Sequence, residues 1–285
     1  MMYIGTDYYP EEYPRERWDY DAQLMADAGF NVARLGVLAW SLLEPEPGRY
    51  DFGWLDDAID VLARHGIGTL LSTPTTAPPP WLLDLDPEAL LVRENGQRTT
   101  YGSWGNACLT GQVYRERSQG ITEAMAQHYR DNPALIGWQV DCEFGVHDRA
   151  RCYCDRCQEA FRAWLAQRYG SLDALRQAWG TTFWSHTYSD WRQIPIPRQA
   201  NTKHNPGLLL DYARFSHDTT ADYLQMQVDI LRRLAAPCFI THNYVPAGYF
   251  RLDYFRLSEP LDFVGWDNYF PVTQHREAAL SHDVY

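Results

Sequence analysis

The chain has 285 residues, with 37 Asp and Glu against 25 Lys and Arg, a formal net charge of −12. That length suits one α/β barrel or two small domains, and an acidic chain without a basic cluster argues against nucleic acid as a partner. No run of about 18 apolar residues occurs, and the opening MMYIGTDYYP has neither the basic nor the apolar region of a secretion signal. The expectation is a soluble, cytoplasmic protein without membrane contact.

Short apolar runs alternate with amphipathic stretches. Residues 2–5 predict a first strand, and 15–28 a helix with Trp18, Ala22, Leu24, Met25 and Ala28 at helical spacing, closed by Gly29. A second strand is expected over 31–37. Residues 54–66 repeat the helix-then-glycine form, with Leu55, Ala58, Ile59 and Leu62 on one face, and 67–75 read as a third strand. A helix over 114–130 stops near Asn132-Pro133, and the fourth strand spans 134–140. A long helix over 208–234 leads to a fifth strand at 238–243 and a sixth at 261–269. Strand and helix in alternation are the grammar of a parallel sheet. An open doubly wound sheet remains an alternative, but no Gly-x-Gly-x-x-Gly turn follows the first strand.

Two long segments interrupt this alternation, 75–113 and 143–207, each after the C-terminal end of a strand. In a (β/α) barrel that end carries the active site, so both read as substrate-side loops. The second contains Cys152, Cys154 and Cys157 in a Cys-x-Cys-x-x-Cys array, and Cys108 ends the first. Four thiolates suit a closed tetrahedral zinc site that pins two loops together, with unrelated free thiols as the alternative. Cys142 and Cys238 lack such spacing, and Cys238 reads as core.

Glu143 stands just past the fourth strand in WQVDCEFG. Aromatic neighbours such as Trp138 and Phe144 would desolvate it, raise its pKa and suit it to general-acid work; a structural ion pair is the competing reading.

Six ordered stretches, YYPEEYPRERWDYDAQLMADAGFNVARLGVLAWSLLEPEPGRYDFGWLD, TPTTAPPPWL, NPALIGWQVDCEFG, CYCDRC, AFRAWLAQRYGSLDALRQAWGTTFWS and WDNY, resemble the N-terminal catalytic barrel of family 42 glycoside hydrolases, the microbial β-galactosidases. The resemblance implies a (β/α)₈ barrel, here incomplete with about six β/α units, forming one partial domain over 1–285 with an insertion at 143–207. It implies a retaining reaction on terminal β-galactosides without an organic cofactor, and a homotrimer for the full-length form. By the same resemblance Glu143 is the acid/base, Cys108, Cys152, Cys154 and Cys157 hold structural zinc, and Tyr269 stands at the sugar-binding mouth.

Three departures modify that picture. Cys142 replaces the asparagine that would bond the sugar's 2-hydroxyl, and a thiol is a poor substitute. Trp104 stands where the family usually has arginine, exchanging a donor fork for a stacking surface. The family's nucleophile glutamate lies on a seventh strand, and this chain stops at HREAALSHDVY, in the helix expected before it, so the partner of Glu143 is expected beyond residue 285 and the chain by itself is expected to be inactive. Asp267, at the end of the sixth strand, is the internal alternative for the nucleophile, and bracing of the strand end is its other reading. A non-catalytic sugar-binding protein or an inactive fragment are the rival functions.

Overall fold

The computed structural model describes residues 2–146, 149–235, 237–245, 251–271 and 273–284. Strand β1 (Gly5–Asp7) leads through helix α1 (Trp18–Asp27) to β2 (Val32–Leu35), a short α2 (Trp40–Leu43), α3 (Gly53–Arg64) and β3 (Gly68–Ser72). Then come α4 (Trp81–Leu85), α5 (Gln112–His128) and β4 (Leu135–Gln139), followed by α6 (Asp155–Tyr169), α7 (Leu172–Trp179) and the long α8 (Pro206–Leu234). The chain continues through β5 (Phe239–Thr241), β6 (Asn243–Tyr244), α9 (Tyr254–Ser258), β7 (Gly265–Trp266) and α10 (His275–Val284).

Strands β1 to β5 form one parallel sheet in sequence order, and β6 pairs with β7, also in parallel. The fifth predicted strand is thus one run broken at His242, which hands the ladder from β4 on one side to β7 on the other. With helices outside and strands in chain order, the architecture is an incomplete (β/α)₈ barrel with a cysteine-rich insertion after β4. The expected barrel class holds, and six strand positions are present among the described residues.

Sequence periodicity explains the helices. On α3, Leu55, Ala58, Ile59, Val61 and Leu62 are all buried, one apolar stripe against the sheet. Gly66, at φ +75°, lets the chain turn back while its N–H bonds the Ala63 carbonyl and that of Ile67 bonds Leu62. On α1 the stripe is narrower than expected. Trp18 and Ala22 are buried, but Leu24 and Ala28 face solvent, because they lie off the i, i+4 line the two buried residues define.

Two further expectations shift. The first strand begins at Gly5, not at residue 2: the Ile4 N–H bonds the Asn31 side chain, and only at Gly5 does the ladder start, where a Cβ would fall 1.9 Å from the Val32 carbonyl oxygen. The sixth strand contracts to Gly265–Trp266 because the Asp262 carboxylate accepts from the Ile240 N–H and from Arg232, replacing ladder bonds with a side chain. Cys238, just before β5, is half-buried and packs against the barrel core, its thiol directed at the Leu135 carbonyl.

Two apolar clusters result. The larger fills the barrel around Leu35, Leu71, Trp138, Ile240 and Tyr244. The second joins Phe161, Leu165, Leu175, Trp179, Ile194 and Tyr212 with Cys108, Cys154 and Cys157 in an annex. Helix α8 belongs to both, with Leu208, Tyr212 and Phe215 in the annex and Tyr223, Leu224, Val228 and Leu231 in the barrel. Pro206 at its first turn and the Asn205 side chain, which accepts from the Gly207 and Leu208 N–H groups, fix where it starts.

Candidate active site and metal centre

Polar side chains gather at the C-terminal ends of the barrel strands. Asp7, ending β1, pairs with Arg34 of β2, whose guanidinium also donates to the Gln139 amide oxygen at the end of β4 (2.8 Å). Gln139 in turn donates to Asn243 Oδ1 (3.0 Å), and Asn243 Nδ2 donates to Asp267 just past β7 (2.8 Å). The relay takes a side chain from five of the six strand positions, all but β3, and it ends against Glu143.

Glu143 is buried, at 7% exposure, and sits with φ +48° in a short elbow where Asp141 is also left-handed at φ +55°. Each such non-glycine residue costs about 1–3 kcal/mol and persists only if its surroundings over-determine it. They do. The Asp141 N–H bonds Thr73 Oγ1 and its carbonyl accepts from Gln139; the Cys142 N–H bonds the Asp141 carboxylate. The Glu143 N–H reaches the Asn243 carbonyl, and the Phe144 N–H reaches His242 Nε2. His242 Nδ1 faces the Val140 carbonyl at 2.6 Å, so that nitrogen carries the proton and Nε2 accepts. Burial pushes the His242 pKa down to about 4, keeping the ring neutral.

Burial first, and then hydrogen-bond contact with Asp267 and its negative charge, push the Glu143 pKa up to about 8, against the pull of Arg149 and Arg34. Glu143 therefore holds its proton near neutral pH, as a general acid must. The competing reading, an ion pair, does not fit a carboxyl facing another carboxyl. Tyr269 is exposed at 74%, yet its hydroxyl reaches Asp267, and burial of that hydroxyl with the charges of Asp267 and Glu143 raises its pKa. Cys142 lies buried with its thiol 3.6 Å from Asn243 Nδ2, and burial pushes its pKa up to about 12. Trp104 packs against the barrel core and helps line a cavity of about 330 Å³ with Thr99, Thr100, Ser103 and Asn106.

The four cysteines singled out by spacing do converge. The sulfurs of Cys108, Cys152, Cys154 and Cys157 lie within 4.8 Å of one another, with Cys108 at 3.6 Å from Cys154 and 3.5 Å from Cys157. A tetrahedral site with Zn–S bonds of about 2.3 Å needs sulfurs about 3.8 Å apart, so the donor set fits a metal ion. Outer contacts aim it: the Val92 N–H reaches Cys152 and the Cys157 N–H reaches Cys154.

Arg34, His242, Asn243 and Arg149 were passed over in the sequence. Arg34 left a trace, a charge inside the apolar run NVARLGV, and His242 and Asn243 end another such run. Nothing local marks Arg149.

A parallel (β/α) barrel with a buried carboxyl, Glu143, at the C-terminal ends of its strands has the architecture of the glycoside hydrolase barrels. Residues 7–285 match the family model described as β-galactosidase, and the chain belongs to that family, glycoside hydrolase family 42. It is 47% identical over 267 residues to a β-galactosidase of Thermus thermophilus, an alignment covering 93% of this chain and 41% of the relative. The crystal structure of the β-galactosidase from Marinomonas ef1 superposes with a TM-score of 0.91 at 38% identity, over 94% of this chain and 41% of that one. A polyextremophilic β-galactosidase from the Antarctic haloarchaeon Halorubrum lacusprofundi gives 0.90 at 42% identity, over 94% and 40%. The chain thus spans about 41% of the length of its Thermus relative. No helix among the described residues is long and apolar enough to cross a membrane.

Proposed function

We propose that these residues carry the acid/base half of a retaining β-galactosidase site acting on terminal non-reducing β-D-galactosides. The observation that carries this reading is the buried Glu143 carboxyl just past β4, close enough to Asp267 that burial and this neighbour push its pKa up to about 8. Glu143 donates its proton to the glycosidic oxygen as the bond to the anomeric carbon breaks, while a second carboxylate attacks that carbon. Glu143, now ionised, then takes a proton from the water that displaces the carboxylate.

Asp267 is an unsuitable second carboxylate. A retaining pair stands about 5–5.5 Å apart to flank the sugar, whereas Asp267 is within hydrogen-bonding contact of Glu143 and is held by Asn243. We assign it the tuning of Glu143, and place the nucleophile in the part of the relatives' length outside these 285 residues. On this reading the 285-residue chain by itself has no appreciable hydrolase activity.

Tyr269 and Trp104 supply aromatic walls for the sugar, and Cys142 leaves its 2-hydroxyl to other donors, with the Asn243 amide lying against that thiol. A zinc ion on Cys108, Cys152, Cys154 and Cys157 would bind structurally, tying the loop before α5 to the start of α6. A cytoplasmic homotrimer completes the proposal.

Nitrophenyl β-galactoside and azide test it. In a catalytically complete form, Glu143→Gly should lose about 10²–10⁴ in rate on substrates needing protonation, and azide should restore turnover with a β-galactosyl azide product. Turnover by the 285-residue chain itself, abolished by Asp267→Asn, would make Asp267 the nucleophile. Galactoside binding with no turnover even in the extended protein would instead favour the sugar-binding reading that Cys142 and Trp104 motivate.

A further inference from the structure

Arg149, from the loop after β4, reaches back over the Glu143 elbow. Its Nη2 donates to the carbonyls of Cys142 (3.1 Å) and Glu143 (2.5 Å), its Nε to the Val146 carbonyl (3.2 Å) and its Nη1 to Thr76 Oγ1 (3.2 Å). Of the five N–H groups a guanidinium offers, four are thus engaged with protein. The Arg149 Cζ lies 4.3 Å from the Trp104 ring centroid. Beside Trp104, Gly105 leaves the passage: a Cβ there would stand 1.0 Å from Arg149 Nη1. The guanidinium missing at position 104 therefore stands against it, delivered from the opposite loop.

We propose that Arg149 is the positioning residue of Glu143, cradled by Trp104 and Gly105, and that its fork holds the left-handed elbow that aims the acid. The Glu143 carbonyl has a second donor, the Val146 N–H, but the Cys142 carbonyl is bonded by Arg149 alone among the described contacts. Loss of Arg149 therefore leaves a buried carbonyl unsatisfied in a backbone that is already strained. With most of its donors engaged by protein, Arg149 acts through Glu143 rather than by gripping a substrate.

The functional consequence rests on Glu143 as acid/base, so the test reads Glu143 without turnover, and the azide experiment above judges the catalytic role separately. The charged and titratable groups around that carboxyl are Asp267 and Tyr269 beyond β7, Arg34 with Asp7 on β2 and β1, His242 between β5 and β6, Asp141 and Cys142 in the elbow, and Arg149 itself. Two readouts are taken on the 285-residue chain: amide hydrogen exchange at residues 142–144, and ¹³C titration of the Glu143 carboxyl, assigned with Glu143→Gln.

Arg149→Met should speed exchange at the elbow about tenfold or more and raise the Glu143 pKa. Arg149→Lys should speed exchange just as much while holding the pKa near its parent value, since lysine keeps the charge but not the fork. Gly105→Ala, which keeps the arginine and evicts its guanidinium, should loosen the elbow as Arg149→Met does and stands in if that variant does not fold. Unchanged exchange at 142–144 in the folded variants, or full protection retained in Arg149→Lys, would overturn the proposal.

Discussion

The barrel mouth and the cysteine annex solve the same problem, holding reactive side chains in fixed geometry, by opposite means. In the annex, three of the four clustered thiols fall within residues 152–157, and one helix start suffices to present them, with Cys154 also capping α6. At the mouth, the relay from Asp7 to Asp267 uses one side chain from each of several strands, and the bonds Arg34 to Gln139 and Gln139 to Asn243 span 105 and 104 residues. A local site can be held by a metal ion; a distributed one needs the whole sheet.

The strongest way to break this comparison is Cys154→Ser. Metal content should fall from one ion per chain towards none, and since a structural zinc site can be worth about 10 kcal/mol or more to its surroundings, exchange protection should collapse across 152–179. Barrel strands should keep theirs. Plasma emission analysis with hydrogen-exchange mass spectrometry reads both, and equal loss in β2 and β3 would mean that the annex and barrel are one cooperative unit.

Paired core truncations sharpen the contrast. Leu71 in β3 and Leu175 in α7 are both fully buried, so each change to alanine should cost about 2–5 kcal/mol. The Leu71→Ala loss should appear as a lower global denaturation midpoint, while Leu175→Ala should open mainly the annex, seen as selective proteolysis there.

The mouth should also respond to pH through its carboxyls. Glu143 has a folded pKa of about 8 against an ordinary 4.5. Between these values the unfolded chain has released a proton that the folded chain retains, so the Glu143 contribution to stability falls as pH rises, by at most about 1.4 kcal/mol per unit. Glu143→Gln should therefore gain stability over the parent, with a margin that widens from pH 5 to pH 8 in denaturant melts. His242 works in the other direction: with its pKa pushed down to about 4 from an ordinary 6.5, its contribution is lost as pH falls through that window. A margin that does not change with pH would show that Glu143 is ionised in the folded protein.

The smallest expected effect is at Trp104. Trp104→Phe keeps a ring under Arg149 and should cost no more than about 1 kcal/mol, whereas Trp104→Ala removes the face altogether and should add the exchange phenotype of Arg149→Met at the elbow.

What was legible in the sequence follows from how local each feature is. Helix α3 could be read because its apolar residues repeat with the helical period, and the cysteine array because ligand spacing is itself a chain-local property. Glu143 could be suspected from an apolar run that ends in an acid. The ends of the first and sixth strands could not be placed, since Asn31 and Asp262 side chains substitute for ladder partners there.

The sequence by itself determined the alternation of strands and helices, the parallel pairing it implies and the Cys-x-Cys-x-x-Cys array, because periodicity and short spacings act through near neighbours along the chain; the closed barrel came from the resemblance of whole motifs. Only the tertiary structure decided that Asp267 presses on Glu143, that His242 breaks a strand to bond the elbow, and that Arg149 crosses Gly105 to stack on Trp104. Those pairings join residues from different strand ends and loops, and a contact of that kind exists only once the sheet has closed enough to bring its C-terminal edges together.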